Sequence, residues 1–171
     1  EFKANDGSSA GDQVTGSIES VAQAAFTGQG SPSHLIFKTN GASGADALTE
    51  RLRITHEGDI DFKGNLGLTS MSFDRSSNSL DFVDNAKAQF GDGDDLQIWH
   101  QGTYSIIQET GPGQMFFQSN GTGFEFRKTD GEDIAKLNVD GSVELYYDNS
   151  KKFETTSSGA LVTGIATVSG T

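Results

Sequence analysis

The side chains with most chemistry to offer lie between Asp92 and Tyr104. Trp99, His100 and Tyr104 bring two aromatic rings and an imidazole into one short stretch. Such groups hold sugars, because apolar ring faces stack on a pyranose while polar edges read its hydroxyls. They are the candidate glycan contacts. The competing use of a lone Trp is to cover a neighbouring strand or subunit while Ile98 packs inward. Just upstream, Gly91-Asp92-Gly93-Asp94-Asp95 offers carboxylates to a hard cation such as calcium. The segment lacks the ligand ladder and closing Glu of a calcium loop, and Asp and Gly are also what tight turns use. No metal is expected there. His34, His56 and His100 share no metal-ligand spacing, and the chain has no Cys. There is no Gly-x-Ser-x-Gly elbow and no phosphate-cradling loop with its Lys, and Gly121-Thr122-Gly123 is too short for a dinucleotide fingerprint. With 24 Asp and Glu, a carboxylate pair at the roughly 5–10 Å of a glycosidase arises in any fold and says nothing. The expectation is a non-enzyme without cofactors. Adjacent Tyr146 and Tyr147, on one strand, face opposite sides.

The elements that must position these groups are short strands. Alternating runs bounded by Gly, Asn, Asp and Ser dominate. A unit recurs: a tight turn, then apolar, polar, apolar. Its clearest copies are Gly58-Asp59-Ile60-Asp61-Phe62, Asn78-Ser79-Leu80-Asp81-Phe82 and Gly141-Ser142-Val143-Glu144-Leu145. Looser copies begin at Asp94, Gly113, Gly123 and Gly159. The turns need positive φ, which Gly, Asn and Asp tolerate. The strands are predicted to send their two apolar side chains inward and the carboxylate outward. Such a unit cannot stand alone and must stack on neighbours. Ile18 to Phe26 fits either a helix or, preferably, a strand over 17–24.

Composition points the same way. Glycine numbers 22 of 171 residues, about twice ordinary usage, and aliphatic residues are few. A net charge of −12 adds self-repulsion to a thin core, so burial against copies of the same chain is expected. The acidity, with only 12 scattered Lys and Arg, argues against nucleic acid and against an anionic membrane surface. No apolar run reaches the roughly 18 residues of a membrane span. The chain starts without Met and reads as a piece of a longer polypeptide.

Leu35-Ile-Phe-Lys-Thr-Asn40, Leu48-Thr-Glu-Arg-Leu-Arg-Ile-Thr55 and Glu57-Gly-Asp-Ile60 together resemble a bacteriophage tail-fibre module. Phe90 to His100, Val143 to Thr156 and Gly159 to Gly164 are similar to repeats in virion structural proteins of marine phages. Gln101-Gly102-Thr103 departs from the Asp-Gly-Ser/Asn turn such repeats lead one to expect. The resemblance implies an all-β, elongated homotrimeric fibre, β-helix or β-prism-like, built as an N-terminal module (1–64) and repeated turn–strand modules (65–171). It implies a virion appendage outside the capsid, extending and presenting a host-receptor-binding region. The alternatives are a carbohydrate-binding module for host surface polysaccharide, using Trp99, His100 and Tyr104, and a polysaccharide depolymerase.

Overall fold

Every regular element among the described residues is a strand, paired antiparallel within its sheet with its neighbours in sequence, in a computed structural model that describes residues 2–4, 13–25, 30–41, 48–64 and 67–167. The first sheet takes β1 (Phe2–Ala4), β2 (Gln13–Ala22), β3 (Ser33–Asn40), β4 (Leu48–Ile54), β5 (Ile60–Lys63), β6 (Thr69–Asp74) and β7 (Ser79–Phe82) in simple order. The second is β8 (Ala88–Phe90), β9 (Leu96–Gln101) and β10 (Tyr104–Glu109). The third runs from β11 (Gly123–Arg127) through β12 (Asp133–Asn138), β13 (Val143–Tyr147) and β14 (Ser150–Thr156) to β15 (Gly159–Val162). The first two sheets belong to one unit, Glu1–Gln114, and the third to another, Met115–Thr171. The all-β expectation is met, with no closed barrel among the described residues. Residue 64, the expected module boundary, lies between β5 and β6 of one sheet.

The turn chemistry explains the meander. Thr55 N donates to Asp59 O (2.9 Å) and Gly58 N to Thr55 O (3.0 Å), and Lys128, Glu132 and Gly131 repeat the arrangement at 3.0 Å each. This is a type I turn closed by a left-handed glycine, with φ +95° at Gly58 and +92° at Gly131. Asp148 and Asn149 both have positive φ, as the two-residue turn between β13 and β14 requires. Asn78, Asp94, Asp140, Gly123 and Gly159 also have positive φ, so β7, β9, β13, β11 and β15 each follow the turn signal read in the sequence. The copy at Gly113 is the exception. Met115, Phe116 and Phe117 form no strand, Gly113 lacks positive φ, and Pro112 brings no N–H to a ladder. The ambiguous segment from Ile18 is strand as far as Ala22, paired from Gly16 to Ala22 with β3; Phe26 lies outside the described residues.

Alternation sorts side chains as expected, but there is no inside for the apolar ones. In the first sheet Ile18, Phe37, Leu52, Phe62, Met71 and Phe82 stand opposite one another across six strands, beside a second row of Leu35, Ile54, Ile60, Phe73 and Leu80. In the third, Phe126, Ala135, Leu145, Phe153 and Val162 form one row and Phe124, Leu137 and Val143 the next. Among the described residues no second layer covers these rows: Phe62 is 39% exposed, Phe82 40% and Leu145 47%. In β13 the burial pattern is inverted, with Val143 and Leu145 exposed and Glu144 and Tyr146 half-buried. The expectation of apolar residues inward and carboxylates outward is therefore corrected for the isolated chain. Ile36, the buried hydrophobic residue, lies on the polar side between Glu19 and Arg53, whose long stems are placed to cover it.

Candidate functional site

The polar faces are organised by ion pairs, and β-bulges set their register. Phe37 faces Leu52, so an unbroken ladder would set Lys38 against Arg51. A bulge skips Arg51 and places Lys38 opposite Glu50. Lys38 then bonds Glu19 at 2.6 Å, while Glu50 holds Arg53 at 2.7 Å and lies 3.7 Å from Lys63, which also bonds Asp61 at 2.9 Å. The Arg53 guanidinium, hydrogen-bonded to Glu50, is the main reason that carboxyl sits below its ordinary range. In the third sheet one bulge sets Arg127 opposite Asp133 (2.8 Å), and another sets Tyr146 opposite Lys151 rather than Lys152. Lys151 pairs with both Glu144 and Glu154, and Asp133 also holds Lys136 at 2.7 Å. Glu144 is pulled from an ordinary 4.5 to about 2 by the Tyr146 hydroxyl, then the Ser142 hydroxyl, then the Lys151 ammonium. In each case the bulge moves a cation or phenol next to carboxylates and leaves the apolar rows unbroken.

The second sheet differs. Its polar face carries a cross-strand row of amides, Gln89, Gln97 and Gln108, flanked by the Trp99–Ile106 and Gln101–Tyr104 pairs. No strand residue on this face is charged. Lys87, just before β8, reaches over it, with Nζ 4.3 Å from the Trp99 ring centre and 2.6 Å from Gln97 Oε1. Tyr104 is 69% exposed and diagonal to Trp99. His100 lies on the opposite face, where its ring nitrogens meet Ser105 Oγ (3.1 Å) and Gly102 O (2.9 Å). The structure thus brings Trp99 and Tyr104 together and separates His100 from them. Strand alternation between adjacent residues was a signal for that separation. The glutamine row escaped the sequence reading because it depends on the register of β8 and β10 against β9.

On the reverse side, His100 and Ser105 join Ile98, Ile107, Ala88 and Phe82 around a groove of about 460 Å³. It is apolar with a polar end and contains no acid–base–nucleophile set. At the acidic turn, Asp94 has φ +55° and donates its N–H to Gly91 O (3.2 Å), which accounts for the Gly-Asp composition as turn geometry. No cluster of three or more His, Asp or Glu suited to a metal occurs among the described residues. His34 and His56 stack edge to face at 5.5 Å, and His56 Nδ1 lies 2.7 Å from a Glu57 carboxylate oxygen. Tyr146 joins the ion-pair network, whereas Tyr147 is exposed on the apolar side.

No family model, curated protein or solved structure matches this chain.

Proposed function

We propose that this chain is a structural segment of a bacteriophage tail fibre or related virion appendage, a homotrimer that extends and presents a host-receptor-binding region and catalyses nothing. The observation that carries this reading is the one-sidedness of the first and third sheets. Each is a single-layer meander with one ion-paired face and one apolar face left open. An enzyme or a monomeric binding domain encloses its apolar rows to build a pocket or core; a fibre segment leaves them for its neighbours. The homotrimer and the virion location draw on the tail-fibre resemblance of Leu35–Asn40, Leu48–Thr55 and Val143–Thr156. Light scattering with small-angle scattering tests the proposal. A mass of three chains and an elongated profile are expected, and a compact single chain would overturn it.

A second reading is favoured by the neutral face of β8–β10. Amides that donate and accept, beside an indole and an exposed phenol, suit an uncharged sugar, with rings for stacking and Gln89, Gln97 and Gln108 for hydroxyls. Under this reading the segment also touches host surface polysaccharide through Trp99 and Tyr104, without His100. Titrating the single Trp with neutral oligosaccharides checks it: saturable quenching that is lost in Gln97→Ala supports it, and a flat response removes it.

A further inference from the structure

We infer that the open apolar faces of the first and third sheets are covered by the same faces of other copies of this chain, leaving their ion-paired faces and the amide row of the second sheet as outer surface. This rests on the fibre reading and specifies which surfaces meet.

The first argument is area. The chain exposes 12787 Å². Two separately folded, compact units of the lengths observed here, 114 and 57 residues, would expose only about 9,600 Å² between them by the usual scaling of surface with mass. About 3,000 Å² is thus in excess however the two units are disposed. A stable partner needs roughly 800 Å² from each side. The described apolar rows contribute to that excess, with Leu80 55% exposed, Leu145 47% and Val162 44%, and so offer surface for such a contact.

The second argument is charge. At −12, copies repel one another unless they meet where charge is absent. The apolar rows provide that surface. The paired rows through Phe62 and Phe73, and those through Leu145 and Val143, contain no ionisable residue; in the second sheet the Ala88–Ile98–Ile107 row is flanked on the same face by Glu109 and His100. Lys38, Arg53, Lys63, Arg127, Lys136 and Lys151 are engaged with carboxylates on the reverse faces. That arrangement leaves little cationic surface to hold an anionic bilayer against the apolar side. A cationic protein partner would be drawn to the acidic reverse faces instead. The occupant that fits is another uncharged, pleated, one-sided sheet, and the first and third sheets of this chain supply two of them. Sheet stacked on sheet at about 10 Å is the packing such faces form.

The absence of Cys makes the test direct, since each introduced thiol is unique. Leu80→Cys and Val162→Cys report on the apolar faces; Asp81→Cys and Glu154→Cys report on the reverse faces of the same or the paired strand. Maleimide labelling is followed on each variant, with its mass measured by light scattering at the same concentration. In a multi-chain assembly the apolar-face thiols are expected to react at least about tenfold more slowly than their reverse-face controls, as groups reached only through opening do. Equal rates in a multi-chain species would overturn the assignment of faces while leaving the fibre reading intact. A single-chain mass for the unaltered protein would remove both. Val162→Cys is close to isosteric, so its result holds even if Leu80→Cys weakens assembly.

Discussion

Replacing Leu145 by Glu is expected to separate folding of the chain from its association. Leu145 sits in β13 between Ala135 and Phe153 in an apolar row, and it remains 47% exposed. Complete burial of a leucine contributes about 2 kcal/mol, so roughly half of that, about 1 kcal/mol, is realised within the chain and about 1 kcal/mol awaits a covering sheet. A glutamate at this position stays hydrated in the single chain, and the loss there is limited to about 1 kcal/mol. Under a second sheet its carboxylate would be left without Lys136 and Lys151 of the neighbouring strands, which are held by carboxylates on the other face. An uncompensated buried charge costs about 3–5 kcal/mol, and adding the forfeited leucine gives about 5 kcal/mol per chain. At 1.4 kcal/mol per decade this weakens association by more than about a thousandfold. The assay is a concentration series in sedimentation equilibrium, paired with far-ultraviolet circular dichroism. Retained strand signal with a mass falling to one chain is the expected outcome, and Glu154→Gln on the reverse face keeps the parent mass. A variant with parent mass at every concentration would refute the reasoning, and so would one that loses its strand signal.

Three further outcomes are expected. Glu144, held at about 2 against an ordinary 4.5, contributes stability that is complete above about pH 4.5 and is lost as the pH falls through about 2; the difference in urea stability between the parent and Glu144→Gln is expected to shrink over that window, and a constant difference argues against the Tyr146–Ser142–Lys151 cradle. Gly123→Ala is expected to cost about 3 kcal/mol against about 1 for Gly131→Ala: a Cβ at Gly123 would lie 2.0 Å from Leu137 O, whereas nothing stands within 4 Å at Gly131, so both pay for positive φ but only one disrupts the β11–β12 ladder. Thermal unfolding compares them, and equal losses would contradict the steric argument. Lys87→Met removes the ammonium from above Trp99 and is expected to shift the indole emission while changing stability by less than about 1 kcal/mol, as an exposed cation–π contact does.

Local order was legible where one residue type has one physical use. Positive φ at Gly58, Asn78 and Gly159 follows from what those residues tolerate, and each turn is followed by its strand. The acid between two apolar residues correctly marked a two-faced strand. Where the chain put the apolar face was not legible, because inside and outside depend on a second layer, and periodicity of two is the same whether that layer exists or not. The bulges were hidden as well. Nothing local to Lys38 announces that the ladder will skip Arg51, since the choice arises from charges on two strands. For the same reason the arrangement of the candidate glycan contacts was only partly legible: Trp99 and Tyr104 share a face through pairing with Ile106 and Gln101, while His100 follows its own parity to the other side.

The neighbour-only pairing also governs how quickly this molecule acquires its shape. Within each sheet every strand after the first closes onto the one just before it, so the loops to be closed are short and their entropic cost is small. Isolated hairpins form in about 1–10 μs, and a β protein built from them has far lower contact order than a Greek-key sandwich. A single open-faced sheet gains little when each further hairpin adds to it, which makes its zippering reversible. On the fibre reading, the slow event is the meeting of chains rather than any step within one. Refolding rates are expected to rise with protein concentration, and the lag at high dilution measures how long a finished meander waits for its neighbours.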